Sequence, residues 1–177
     1  MDTKRSSKSL EQSIEEFGSI VWKIRGYSME PFIHEDTNAV VLEKVERPLC
    51  AHDVVLYKIK VRIQGEGEAQ RYILHRIIGE KGDNYIILGD NCTSLEYVRK
   101  DEIIAVMRAL LREGEEVDLG GLKHRLYMRL WVRPWRMRVR MIKLRGGFLR
   151  GWWKFVEIAA PYTPRPIKEG IKRLIGN

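Results

Sequence analysis

The sequence has few cysteines and no long apolar run, and both absences narrow what the protein can be. Its two cysteines, Cys50 and Cys92, lack the spacing of a metal-binding or redox motif, so they neither require nor exclude a reducing compartment. The most apolar stretch near the N-terminus, 17–24, is interrupted by polar residues and falls far short of the roughly 20 residues that span a bilayer. It also lacks the apolar core of a signal peptide. We therefore expect a cytoplasmic protein without metal or cofactor, either free or peripheral on the cytosolic membrane face.

Acidic residues are missing from a long C-terminal stretch. Between Asp118 and Glu157 the chain carries none, while arginine, lysine and tryptophan recur, and the formal net charge of the whole chain is +8. Arginines at helical spacing predict amphipathic helices that Pro134 separates and that end at 146–147. Three interpretations stay open for 122–155: a packed appendage with a solvated arginine face, contact with an anionic membrane surface, or nucleic-acid binding. No helix-turn-helix or aromatic-basic sheet motif supports the last, so nucleic acid is not an expected partner.

The chain before this stretch has the pattern of a β protein. Ser9 and Gln12 have the spacing of an N-terminal capping box, which predicts a helix that ends near Phe17. Alternating or β-branched runs then predict strands at 20–24, 39–45, 53–63, 71–78, 85–88 and 102–111. The strands 53–63 and 71–78 are expected to form a long hairpin.

These elements predict a mainly β fold, in which a twisted, partly closed sheet carries a basic helical appendage. We divide the chain into an N-terminal helix and lead-in strand at 1–25, a β core at 26–112 and a basic, Trp-rich helical appendage at 113–177.

Three short segments together contain the residue types of a serine hydrolase. Ser28 lies in the run GYSMEP at 26–31, His75 lies within an apolar strand, and Gly-Asp-Asn occupies 89–91. A serine hydroxyl becomes a strong nucleophile when a base removes its proton, and histidine is the side chain best suited to do so near neutral pH. A carboxylate commonly orients that histidine. Each segment alone is more often structural, and Cys92, which follows the third segment, is expected to be structural too.

In combination, these segments and the strand DVVLY at 53–57 resemble the signal peptidase and LexA-like serine peptidases, over about 26–107. Bacterial signal peptidases and LexA-like repressors use a lysine base, whereas the signal peptidases of the endoplasmic reticulum, archaea and some spore-forming bacteria have a histidine. His75 occupies that place, so the chain resembles the histidine branch. The resemblance implies that Ser28 is the nucleophile and His75 the general base, with Asp90 or Glu96 as the acid that orients His75.

Gly26 departs from the signal peptidase pattern, in which a serine two residues before the nucleophile helps to bind the oxyanion. The resemblance therefore implies an oxyanion held by backbone N–H groups around Gly26, Ser28 and Met29. It also implies that the substrate binds as an added strand, and we expect strands near Val40 and the Ser28 turn to form that groove.

The expected function is a serine endopeptidase of the signal peptidase type, which cleaves a signal or leader-like segment of a precursor protein through an acyl-enzyme. Because no membrane anchor is predicted, we expect a dedicated precursor, such as the leader of a modified peptide. Two alternatives stay open. One is a LexA-like regulator that cleaves itself, although only 27 residues precede Ser28 and leave no room for a DNA-binding domain. The other is a non-catalytic module that uses the same fold to bind a membrane or a partner.

Overall fold

A computed structural model of the protein describes residues 9–63 and 67–145. The chain divides into two compact units, Met1–Trp135 and Arg136–Asn177, and the described part of the second unit is helical. Residues 113–135, which the sequence pattern grouped with the appendage, therefore belong to the first unit. The predicted helix end at 146–147 and the rest of the basic stretch lie outside the described residues.

The first helix begins as predicted. Helix α1 (Leu10–Phe17) is capped by Ser9, whose Oγ accepts a hydrogen bond from the Gln12 backbone N–H at 3.3 Å. In return, Gln12 Oε1 accepts one from the Ser9 backbone N–H at 2.9 Å. These two bonds satisfy N–H groups that have no partner within the first helical turn. The predicted capping box is confirmed.

In the part of the chain that the structure describes, eight strands form one antiparallel sheet, which confirms the predicted mainly β class. In chain order they are β1 (Ser19–Lys23), β2 (Asn38–Glu43), β3 (Val54–Ile63), β4 (Gly67–Lys81), β5 (Asn84–Leu88), β6 (Glu96–Arg99), β7 (Ile103–Arg112) and β8 (Glu115–Glu116). Their order across the sheet is β1-β2-β7-β3-β4-β5-β6, and β8 pairs with β7. The sheet is not closed, because among the described strands β1 and β6 stand at its two ends. The sequence pattern missed β6 and β8, which are too short to show a clear alternation.

Strands β3 and β4 form the predicted long hairpin, and its register fixes which side chains share a face. Successive residues of a strand point to opposite faces of the sheet. One face buries a cluster that includes Leu56 and Leu74, and the other buries a cluster that includes Val55 and Ile77. His75 lies opposite Val55 in the register and so belongs to the second face.

A helical segment packs on the first of these clusters. Helix α2 (Leu122–Tyr127) continues directly into a π-helical segment (Met128–Val132). The Tyr127 ring stacks on the Phe32 ring with centroids 5.3 Å apart, and Val132 is fully buried. A turn at 133–134 separates this segment from the helical residues 135–145, as Pro134 predicted. In the described parts of the chain, no helix has the length and apolar character needed to cross a bilayer.

Candidate active site

His75 is at the centre of a polar cluster within the second apolar face of the sheet. Only 5% of its surface is exposed. Its Nδ1 lies 3.1 Å from the Tyr57 hydroxyl oxygen and 3.3 Å from Glu96 Oε2. Tyr57 is two residues beyond Val55, the residue opposite His75, so it reaches the imidazole diagonally across the hairpin. A hydrogen on Nδ1 can be donated to either oxygen, which leaves Nε2 able to accept a proton.

Glu96 is the acid that the structure brings to His75. Strand β6 places Glu96 opposite Ile87 of β5, and β5 places Ile87 opposite Ile77 of β4. Directly opposite side chains share a face, and Ile77 shares its face with His75 two residues earlier. The register therefore directs the Glu96 side chain toward the imidazole. Burial raises the pKa of Glu96.

Asp90 has a different environment from the one expected of an orienting acid. It is fully buried, and its Oδ2 accepts hydrogen bonds from Arg76 Nη2 and from the Tyr127 hydroxyl, both at 2.7 Å. Its backbone carbonyl accepts one from the Trp131 indole N–H at 3.1 Å. Arg76 and Asp90 thus form a buried ion pair. These contacts join the core to the segment 122–132, and Glu96, not Asp90, has the geometry to orient the imidazole.

Ser28 lies in the turn before β2, beside Nε2 of the imidazole. Its backbone carbonyl accepts a hydrogen bond from the Asn91 N–H at 2.8 Å, which ties the turn to the 89–91 run. A Cβ added to Gly89 would lie 2.7 Å from that carbonyl oxygen and 2.9 Å from His75 Nε2, so only glycine fits there. The three segments singled out in the sequence therefore meet at one place. Within the described residues, Ser28 Oγ makes no hydrogen bond, and it is not bonded to His75 Nε2 in this structure.

Cys92 supplies a second nucleophilic group beside the same nitrogen. Its Sγ lies 4.0 Å from His75 Nε2 and 3.9 Å from the Ser28 carbonyl oxygen. The sequence favoured a structural role for this thiol, although its position directly after the 89–91 run allowed it to lie near the site. Because Ser28 and Cys92 both lie next to the base, the identity of the attacking atom requires a direct test.

The Ser28 turn offers backbone donors for an oxyanion. In the part of the chain that the structure describes, the N–H groups of Ser28 and Met29 donate no hydrogen bond. The Met29 side chain is 1% exposed in the core, so only its backbone is available. Gly26 has a φ of +95°, in the region that favours glycine, and its N–H donates to Glu35 Oε2 at 2.8 Å. The Gly26 N–H, which we expected near the oxyanion, is therefore already occupied.

A cleft of about 980 Å³ lies between β1 and the first half of β4, and it extends to Gly26. Among the described strands, β1 pairs only with β2, so its other edge is unpaired. Strand β4 pairs with β5 only from Arg76 onward, so the edge of its first half is unpaired too. The Trp22 and Tyr72 rings meet edge to face with centroids 6.3 Å apart. Val40 itself is fully buried in β2, and the neighbouring strand that lines the cleft is β1, whose Trp22 lies opposite Val40 in the register.

The buried imidazole is neutral at pH 7. Burial lowers the pKa of His75 to about 4, against a smaller opposing effect of the negative charge of Asp90. A neutral imidazole with hydrogen-bond partners at Nδ1 is the form that can accept a proton at Nε2.

We expect this lowered pKa to make the fold less stable in mild acid. Between the ordinary histidine pKa of 6.5 and the native value of about 4, the unfolded chain binds a proton that the native protein does not. The contribution of neutral His75 to the free energy of unfolding is thus fully present above pH 6.5. It is lost as the pH is lowered, by about 3 kcal/mol in all. Urea unfolding of the wild type and of His75→Gln between pH 4 and 7 would measure this loss: as the pH falls, the free energy of unfolding of the wild type should decrease relative to that of the variant. A difference that stays constant with pH would contradict the prediction.

Tyr57 is the member of the cluster that the sequence pattern did not identify. The sequence pattern places it only in the alternating apolar register of 53–63, although the predicted hairpin would place it diagonally from His75.

Comparisons of the chain with protein-family models, curated proteins and solved structures found no match. The function of this site is therefore inferred from its geometry.

Proposed function

We propose that the protein is a serine endopeptidase of the signal peptidase type, with Ser28 as nucleophile, His75 as general base and Glu96 as the acid that orients the base. The proposal rests on one observation, which is that the two nitrogens of the His75 ring have different neighbours. A carboxylate and a tyrosine hydroxyl lie at Nδ1, and the Ser28 turn lies at Nε2. This is the arrangement that serine nucleophiles need for activation.

In the proposed reaction, His75 Nε2 removes the proton from Ser28 Oγ while Oγ attacks the carbonyl carbon of a peptide bond. The N–H groups of Ser28 and Met29 hold the negative charge that develops on the carbonyl oxygen. Nε2 then gives its proton to the leaving nitrogen, the C–N bond breaks, and an ester remains on Oγ. A water molecule, deprotonated by Nε2, hydrolyses the ester and restores the serine. Glu96 stabilises the imidazolium in both stages.

The substrate in this proposal is an extended segment of a precursor protein. An extended peptide can add as a strand between the edges of β1 and β4, where its main chain would find hydrogen-bond partners. The cleft reaches Gly26, two residues before Ser28, so a strand bound there would bring its peptide bond close to Oγ. A leader-like segment of a dedicated precursor fits this mode of binding.

The proposal is tested by trapping the acyl-enzyme. The protein would be incubated with a peptide library made by digesting a proteome, quenched rapidly in acid, and analysed by intact-protein mass spectrometry and peptide mapping. We expect a peptide ester on Ser28 in the wild type and none in His75→Ala. An adduct that maps to Cys92 would instead make the thiol the nucleophile, and a library left uncut would contradict peptidase activity.

The same experiment separates the two alternatives. A self-cleaving regulator of the LexA-like kind would yield two fragments of its own chain in the absence of any peptide. A non-catalytic binding module would give neither fragments nor an adduct.

A further inference from the structure

The outer side of the segment 122–133 combines exposed leucines with arginines. Leu122, Leu126 and Leu130 recur every four residues and are 70%, 47% and 66% exposed. Arg125, Arg129 and Arg133 follow the same spacing and are also exposed. Side chains four residues apart lie on one side of a helix. We call these six side chains the Leu–Arg face.

Contacts on the opposite side fix the orientation of this segment. The Tyr127 hydroxyl and the Trp131 indole N–H both donate to Asp90, at 2.7 and 3.1 Å. The Tyr127 ring stacks on Phe32, and Val132 is fully buried. Because these contacts hold the segment to the core, the Leu–Arg face points away from it.

The positive charge of the Leu–Arg face is not neutralised by any ion pair among the described residues. No acidic residue occurs between Asp118 and Glu157. Within the described residues, none of the three arginines of the face forms an ion pair. The arginines line a cleft of about 620 Å³ together with Leu122 and Leu126. Apolar and cationic groups therefore share one surface, which fits a partner that is both apolar and anionic.

We infer that the Leu–Arg face is a docking surface for an anionic lipid bilayer. The segment lies parallel to the membrane, its leucines enter the boundary between headgroups and acyl chains, and its guanidinium groups bind lipid phosphates. A nucleic acid would also supply phosphates, but it offers no apolar phase for the leucines, and the face contains no aromatic ring on which bases could stack. This inference does not depend on whether Ser28 is a nucleophile.

The test is the binding of the full chain to lipid vesicles, measured by co-sedimentation. Vesicles of phosphatidylglycerol and phosphatidylcholine would be compared with vesicles of phosphatidylcholine alone. We expect the wild type to bind the anionic vesicles. The triple variant Arg125→Gln, Arg129→Gln, Arg133→Gln should bind them about 100-fold more weakly, and Leu122→Gln, Leu126→Gln, Leu130→Gln at least about 10-fold more weakly.

A matched control removes the same charge elsewhere. Lys60→Gln, Lys81→Gln, Arg108→Gln changes three exposed cations outside the face and should change binding only a few-fold. Circular dichroism and thermal melting would verify that all three variants are folded. Equal weakening by the control and the arginine variant would overturn the inference, because net charge alone would then explain binding. Binding to single-stranded RNA would be measured as well. If the wild type and the leucine variant bind the RNA equally tightly and neither binds vesicles, the inference is overturned in favour of nucleic acid.

Discussion

Replacing Asp90 by asparagine is expected to lower the free energy of unfolding by about 3–5 kcal/mol. The Arg76 and Asp90 side chains are only 3% and 0% exposed, and the carboxylate accepts hydrogen bonds from Arg76 Nε and Nη2. Asparagine is nearly the same size but carries no charge. It therefore leaves a buried guanidinium without its counter-ion and weakens the bond from the Tyr127 hydroxyl. Urea unfolding followed by circular dichroism at pH 7 would measure the loss.

The control for this prediction is Asp101→Asn. Asp101 also pairs with an arginine, Arg99, but both side chains are about two-thirds exposed, and solvent-exposed pairs contribute little to stability. We expect no measurable change in the midpoint of unfolding for this variant. The double variant Arg76→Met, Asp90→Leu should recover part of the stability lost in Asp90→Asn, because it removes both buried charges at once. Equal losses for Asp90→Asn and Asp101→Asn would show that the buried pair has no special role.

The features that the sequence predicts well depend on short-range patterns. The Ser9–Gln12 capping box is contained within four residues, and the long hairpin of β3 and β4 follows from alternation within two neighbouring segments. The approach of the Ser28 turn to His75 is a longer-range feature. It was expected only because three segments in a given order resemble a known family, and periodicity alone would not have indicated it.

The choice between Glu96 and Asp90 could not be made from the sequence for a physical reason. Glu96 begins the four-residue strand β6, which buries only Val98 and so shows no readable alternation. Its position near His75 depends on the register of β4, β5 and β6, which is set by long-range pairing. Asp90 likewise owes its burial to distant partners, since Tyr127 and Trp131 lie far along the chain. Those two bonds also explain why the segment 113–135 belongs with the core unit.

Replacing Ser28 by alanine is expected to reduce the rate of peptide cleavage by about 10⁴-fold or more, whereas Cys92→Ala should change it only a few-fold. The two variants are matched, because each removes one nucleophilic atom from the segments that meet at His75 Nε2. Rates would be measured on a peptide that the wild type cleaves in the library experiment.

This comparison isolates chemistry from folding. Ser28 Oγ makes no hydrogen bond within the described residues, so its removal should leave the free energy of unfolding almost unchanged, and the loss of rate then reports the nucleophile. Cys92 Sγ contacts the Ser28 carbonyl oxygen and Nε2 at 3.9 and 4.0 Å, so its removal opens space near the base but leaves the imidazole and its Nδ1 partners intact. The reverse result, with Cys92→Ala inactive and Ser28→Ala active, would assign the attack to sulfur. Because a single atom attacks the peptide carbonyl carbon in the acylation step, only one of the two variants should lose the rate.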